Sequence, residues 1–306
     1  MIQFKDIELS DREAITSITM KSSRRNCDLS FSNLCSWRFL YNTQYAVKDG
    51  FLFFKFWANG DLAYMMPVGE GNLKQGVIEL IQDANKEGKP FRMLGVCQNM
   101  KADLEEILPN KFAFVTSNDY ADYVYLREDL ATLKGKKLQS KRNHINKFKR
   151  LYPNYEYAEI TTDNISECLK LEEEWCKVND CHEFQGTGNE RRALTYALNN
   201  FNEIGLYGGL LRVDGKIVAF TFGMPINADT FGTHVEKADT TIEGAYTMIN
   251  QEFAKHIPEQ YTYINREEDL GIPGLRKAKM SYNPTILLKK SVVNLINEGP
   301  VDPLNW

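Results

Sequence analysis

A mixed α/β fold in which one unit is used twice is the class this 306-residue sequence predicts. Three observations carry it. Each half opens with helical periodicity, passes into a hairpin with a polar turn, and continues through a helix and further strands. The length suits two domains at roughly 100–200 residues each. Composition, with 43% hydrophobic, 12% aromatic and 25% charged residues, is that of a folded protein and sets aside disordered, collagenous and disulfide-scaffold classes.

In the first half, a helix begins near Asp11 and an irregular, aromatic-rich stretch covers residues 22–45. Residues 50–68 then read as two strands joined at Ala58-Asn59-Gly60-Asp61, because Asn-Gly favours the type I′ hairpin turn. Val77, Leu80, Ile81 and Ala84 recur at helical spacing, and Gly88 supplies a stop. A strand (FRMLGV), a helix (KADLEEIL) and two extended runs (FAFVT and DYVYL) complete the half.

After a strand at YEYAEIT, the second half places two helices before a hairpin turned at Val213-Asp214-Gly215. DTFGTHVEKA reads as the next strand and EGAYTMINQEFAKHI as the helix behind it. YTYINREED is a strand end, GLRKAKMSY a loop or short helix, and TILLKKSVVN a last strand. The two halves share element order but little residue identity. The expected division is 1–133 and 153–306, linked by a basic helix at 134–152.

Charge is unevenly spread. Lys+Arg total 37 against 41 Asp+Glu, so the chain as a whole, at −4, is no general nucleic-acid coat. Lys134 to Arg150, however, holds eight cations and no acid, which leaves the remainder at −12. Pro153 ends this segment as a helix. Leu138, Ile145, Phe148 and Tyr152 fall on one arc with Lys141 among them, whereas Lys136, Lys147 and Arg150 project away. The outer set reads as a solvated face or a phosphate-binding surface; Lys141 either snorkels along the core or enters a cleft between the halves.

Two constellations carry candidate chemistry. His234, Glu236, Lys237 and Asp239 end a strand just before Gly244 at a helix start, and alternation puts His234 and Glu236 on one strand face. The second runs through Asn265, Arg266, Glu267, Glu268 and Asp269 to Gly271, Gly274, Arg276, Lys277, Lys279 and Tyr282. Its glycines let backbone approach a ligand, its cations suit phosphate or carboxylate, and Tyr282 can donate a proton. A solvated edge strand and a salt-bridged surface loop are the plain alternatives.

Nucleophile-elbow, Walker and dinucleotide signatures are all missing from the sequence. Cys176, Cys181 and His182 have no second ligand pair, so no metal is expected. Six cysteines without a CxxC, a start lacking a signal core and apolar runs too short for a bilayer lead to the expectation of a cytoplasmic chain without an integral membrane segment.

The runs LKGKKLQSKRNHINKF, THVEKAD, IEGAY and INREEDLGIPGLRKAKMSYNP closely resemble bacterial proteins related to the C-terminal domain of phosphatidylglycerol lysyltransferases. Residues 130–290 carry the match; the first 130 follow by layout. The resemblance implies two tandem GNAT-like acyltransferase domains, as in Fem-type aminoacyltransferases, and no tightly bound cofactor. The donor it implies is an aminoacyl-tRNA, whose phosphates Lys141, Arg142, Asn143 and His144 would contact. Acyl-CoA is the alternative donor, with its pyrophosphate at Thr241–Tyr246, where Gly244 is the one glycine of the usual turn.

On this reading an aminoacyl or acyl group passes to a small-molecule or peptide amine, or to a hydroxyl. Glu236 serves as general base or its orienter, with His234 beside it, and Tyr282 is the proton donor. Lys141, Arg266, Arg276 and Lys279 hold donor phosphate or developing charge, and Asn265 and Asp269 complete the binding loop. An acyl-CoA N-acetyltransferase and a non-catalytic RNA- or ligand-binding module are the rivals.

Overall fold

The computed structural model describes residues 2–178 and 186–296. Cys181 and His182 lie outside them. The first half builds β1 (Lys5–Asp6), α1 (Arg12–Thr19), α2 (Phe31–Ser36), α3 (Arg38–Tyr41), β2 (Gln44–Lys48), β3 (Phe51–Ala58), β4 (Asp61–Tyr64) and β5 (Val68–Gly69). It continues through α4 (Leu73–Lys86), β6 (Arg92–Cys97), α5 (Gln98–Ile107), β7 (Phe112–Leu126) and α6 (Arg127–Thr132).

After α7 (Gln139–Leu151) come β8 (Glu156–Glu159), α8 (Ile165–Val178), α9 (Gly186–Asn199), α10 (Phe201–Ile204), β9 (Tyr207–Val213) and β10 (Lys216–Pro225). The chain then forms β11 (Thr230–Ala238), α11 (Ala245–His256), β12 (Tyr263–Asn265), α12 (Pro273–Met280) and β13 (Ile286–Leu295).

Both hairpin turns form where the residue pairs place them. Asn59 and Gly60 have φ of 54° and 85°, and Asp214 and Gly215 have 50° and 77°, the left-handed pair a type I′ turn requires. The irregular stretch at 22–45 contains the short helices α2 and α3. The two extended runs after α5 are one strand, β7, interrupted by an excursion: Asp122 pairs with Leu288 and Ser117 with Lys290, so residues 118–121 stand opposite Lys289 alone.

The strands of the described residues form one mixed sheet in the order β1-β2-β3-β4-β6-β13-β7-β12-β11-β10-β9-β8, with β5 paired to β3. Read inwards from its two edges, the sheet gives the same series twice. The last strand of each series is exchanged: β13 pairs with β6, and β7 with β12. Phe31, Leu34 and Ile15 of the first half share a core with Leu198, Phe220 and Phe222 of the second. A second core packs α11 and α7 on the sheet through Met248, Ile249, Phe148 and Phe231, and a third packs α4 and α5 on β3, β4 and β6.

Candidate functional site

β11 and β12 run parallel and pair only from Thr230↔Tyr263 to Gly232↔Asn265. Beyond that point β11 continues to Ala238 while the chain after β12 turns away through residues 266–272. The hydrogen-bond ladder between the two therefore has a gap from there on, which both candidate constellations border.

On the face covered by α11 and α7 the gap is cationic and aromatic. Arg266 Nη2 donates to Glu236 Oε1 at 3.0 Å, and Asn250 Nδ2 of α11 donates to Oε2 at 3.1 Å. Both oxygens of Glu236 are thus engaged. Lys141 Nζ lies 4.0 Å from the ring centre of Tyr282, and the Arg266 guanidinium lies 4.8 Å from the same ring. Burial, helped by neighbouring Arg266, holds the Lys141 ammonium below the ordinary lysine pKa. Arg266 keeps its charge despite burial because Glu236 faces it. Its Nη1 is buried without a hydrogen-bond partner among the described residues, as is Asn250 Oδ1. Burial pushes the Tyr282 hydroxyl up.

The opposite face is acidic. Asp122 and Glu268 surround Lys290, whose Nζ is 2.7 Å from Asp122 Oδ1, 3.0 Å from Asp28 and 3.8 Å from Glu268. Burial would discharge this lysine, but Asp122 and Asp28 raise its pKa instead, and Lys290 keeps Asp122 ionised. Glu268 differs: burial raises its carboxyl to about 7. Cys27 Sγ is 3.3 Å from both Asp122 and Glu268, a donor set that could hold a metal, yet the Lys290 ammonium stands 3.6 Å from the sulfur and already supplies a cation to the cluster. Asn265 Nδ2 donates to Asp122 at 2.8 Å and to the Arg25 carbonyl at 2.6 Å.

His234 and Glu236 do not share a strand face, contrary to simple alternation. Phe222 pairs with Val235 and Gly223 with Thr233, so His234 is the extra residue of a β-bulge. Glu236 consequently turns to α11, while His234 turns to the first half, where its Nε2 is 2.7 Å from Ser30 Oγ and its Nδ1 2.8 Å from Glu267 Oε1.

The other residues singled out from sequence are placed as follows. Arg276 is tied to Asp269 at 2.7 Å and to Asp119, on the excursion of β7, at 2.6 Å. Asp269 also accepts from Tyr123 and is held near pKa 2 by Arg276. Lys279 is buried and donates to the carbonyls of Arg266 and Glu268, bracing the loop from beneath. Arg142 donates to the carbonyls of Leu133 and Gly135. Asn143 is exposed beside Gln139. Gly244, at φ 86°, starts α11 and backs onto His144 O and Phe148. His144, Asp239, Thr240, Gly244 and Tyr246 line a cavity of about 290 Å³ there.

Lys141, Glu236, Arg266 and Tyr282 therefore meet on one face of the gap, with His234 and Asn265 on the other. Sequence reasoning passed over Cys27, Asp28, Ser30, Asp122 and Lys290. The one local signal among them is Asp122, an acid beginning an otherwise apolar strand run.

Set beside proteins of known structure, the chain is 69% identical to a conserved protein of unknown function from Bacteroides thetaiotaomicron, with TM-score 0.95 over 97% of this chain and 100% of that one. The C-terminal domain of a putative lysylphosphatidylglycerol synthetase from Agrobacterium fabrum superposes with TM-score 0.70 at 12% identity, over 95% of this chain and 93% of that one. L-PGS from Bacillus licheniformis gives 0.67 at 16%, over 98% and 95%. FemX shares the fold with TM-score 0.59 at 9% identity, over 95% of this chain and 97% of that one. Residues 19–294, nearly the whole described chain, match the family described as "Phosphatidylglycerol lysyltransferase, C-terminal", and the chain belongs to that family.

Proposed function

We propose that the protein transfers an aminoacyl group from an aminoacyl-tRNA to an amine or hydroxyl acceptor, with the reacting carbonyl in the gap between β11 and the loop after β12. The mirrored strand series is read as two GNAT-like units sharing one sheet. The observation that carries the reading is that consecutive residues, Arg266 and Glu267, deliver opposite charges to opposite faces of that gap. A donor that is anionic at its tRNA end and carries an ammonium at its aminoacyl end fits this polarity. Its ammonium meets Glu268 and its neighbours; its ester end meets Lys141, Arg266 and Tyr282.

Attack by the acceptor forms the new bond to the carbonyl carbon and places negative charge on the carbonyl oxygen. The unpartnered Arg266 Nη1 supplies a fixed, dry donor for that charge. Collapse breaks the ester C–O bond and the ribose hydroxyl leaves with a proton, for which Tyr282 is the donor. Glu236, engaged on both oxygens, orients Arg266. The exposed Lys136, Lys147, Lys149 and Arg150 of the 136–151 helical segment suit the tRNA backbone.

The test uses tRNA charged with labelled amino acids, lysine first, and follows acceptor-dependent loss of the ester. Transfer that disappears with Arg266→Ala in a folded protein supports the reading; wild-type protein inert toward every charged tRNA defeats it. The cavity at the start of α11 favours acyl-CoA as a second donor. Thermal stabilisation by CoA and none by aminoacyl-tRNA would select it.

A further inference from the structure

The Ser30–His234–Glu267 chain joins the two halves through hydrogen bonds of 2.7 and 2.8 Å. Ser30 is fully buried and the His234 side chain is 3% exposed, whereas the Glu267 side chain, at 23%, reaches the gap. With its ring proton on Nδ1, His234 donates to Glu267 Oε1. In the neutral ring Nε2 is then the acceptor, and Ser30 donates to it.

Three further observations show that this chain is maintained at a cost. Ser30 occupies the N-cap position of α2, yet its hydroxyl makes no capping bond and is spent on His234. His234 reaches it only through the bulge in β11. Glu267 has φ 60°, a left-handed conformation that a β-carbon disfavours. Asn33 Nδ2 adds a second bond to Glu267 Oε1, at 2.7 Å. Both anchors grip the same oxygen, and Oε2 has no hydrogen-bond partner among the described residues.

We infer that Glu267 is the proton acceptor for the attacking nucleophile, and that Ser30 and His234 are positioning residues that hold its carboxylate at the gap. The inference rests on the transfer reading. As the acceptor nitrogen or oxygen bonds to the donor carbonyl carbon, its proton moves to Glu267 Oε2. Glu267 then releases that proton to solvent while Tyr282, which gave its own to the departing ribose oxygen, regains one from solvent, so the nucleophile's proton is in net terms the one on the ribose hydroxyl and no co-reactant is needed. Glu268, Lys279 and Lys290 are the neighbouring charges; each already has its own partners.

The experiment measures steady-state transfer by full-length variants whose thermal unfolding matches wild type. Glu267→Ala should lower kcat by roughly 100-fold or more, the range of a lost general base. Added formate should restore part of that rate, because a small carboxylate can enter the vacated space. His234→Asn preserves an N–H near the position of Nδ1 and should stay within a few-fold of wild type. His234→Gln, which preserves the other nitrogen, should fall with Glu267→Ala.

Ser30→Ala, should it fold poorly, is replaced by Ser30→Thr, which keeps the hydroxyl and should retain activity. Absence of formate rescue, or equal activity in the Asn and Gln variants, overturns the relay while leaving transfer intact. A wild-type protein inert toward all donors overturns the transfer reading and the relay with it.

Discussion

Arg266 is the residue whose loss should be felt both in chemistry and in folding. Its guanidinium pairs with Glu236 where their side chains are only 11% and 14% exposed. Removing one partner of a buried pair typically costs about 3–5 kcal/mol, because the other charge is left without compensation. Arg266→Ala should therefore lower the unfolding free energy by a few kcal/mol in urea titration, and Arg266→Ala/Glu236→Leu should recover much of the loss. Stability unchanged in the single variant would show that solvent screens the pair.

Sequence reading anticipated much of this residue-scale picture on the α11 face. Glu236, Arg266 and Tyr282 stand out in runs dense in charge, and helical periodicity separated Lys141 from the outward lysines of its own helix. The acidic face was illegible for a physical reason. Cys27, Asp122, Glu268 and Lys290 come from four separate segments, and nothing in any one segment records that the others arrive beside it.

At the scale of elements, α8 carries an acid that ought to report on pH. Glu172 is buried, one of its oxygens has no partner among the described residues, and burial raises its carboxyl to about 7. A carboxyl whose folded pKa is raised holds its proton more tightly in the folded state. Its favourable contribution is complete below the unfolded value near 4.5 and is lost as pH climbs through about 7. Glu172→Gln should flatten the fall in stability between pH 5 and 8 (roughly that window from the linkage relation), measured by denaturant titration at each pH. An unaltered slope would place the titration elsewhere.

The start of α11 gives a second prediction at this scale. A β-carbon on Gly244 would sit 3.1 Å from Phe148 Cβ and 3.2 Å from His144 O, at a φ of 86°. Gly244→Ala should cost about 1–2 kcal/mol through backbone strain and crowding against α7. A smaller effect in thermal unfolding would mean that α7 gives way.

Periodicity located α7, which buries Ile145 and Phe148 on one stripe, but not α11, which is buried nearly all round. It could not show the bulge in β11, since an inserted residue leaves no mark in composition. That single insertion is why His234 and Glu236 serve different faces.

For the whole molecule, the exchanged strands make a test of unity. A chain nicked enzymatically near Gly135 should elute as one species of unchanged size and unfold in a single transition, because β13 remains lodged between β6 and β7. Separation of two fragments under native conditions would contradict the exchange. Element order within each half was legible from sequence. The pairing was not, because β7 and β13 are ordinary strands whose patterns are satisfied beside either neighbour.

That arrangement also imposes a schedule on biosynthesis. At about 5–20 residues per second, the ribosome takes roughly 8–30 s to travel from the end of β7 to the start of β13. Throughout that interval the nascent first half has a sheet margin waiting for a partner that has yet to be translated. A trigger-type chaperone or slow initiation would shelter this margin, and polysome crowding would be the condition under which neighbouring nascent chains compete for it.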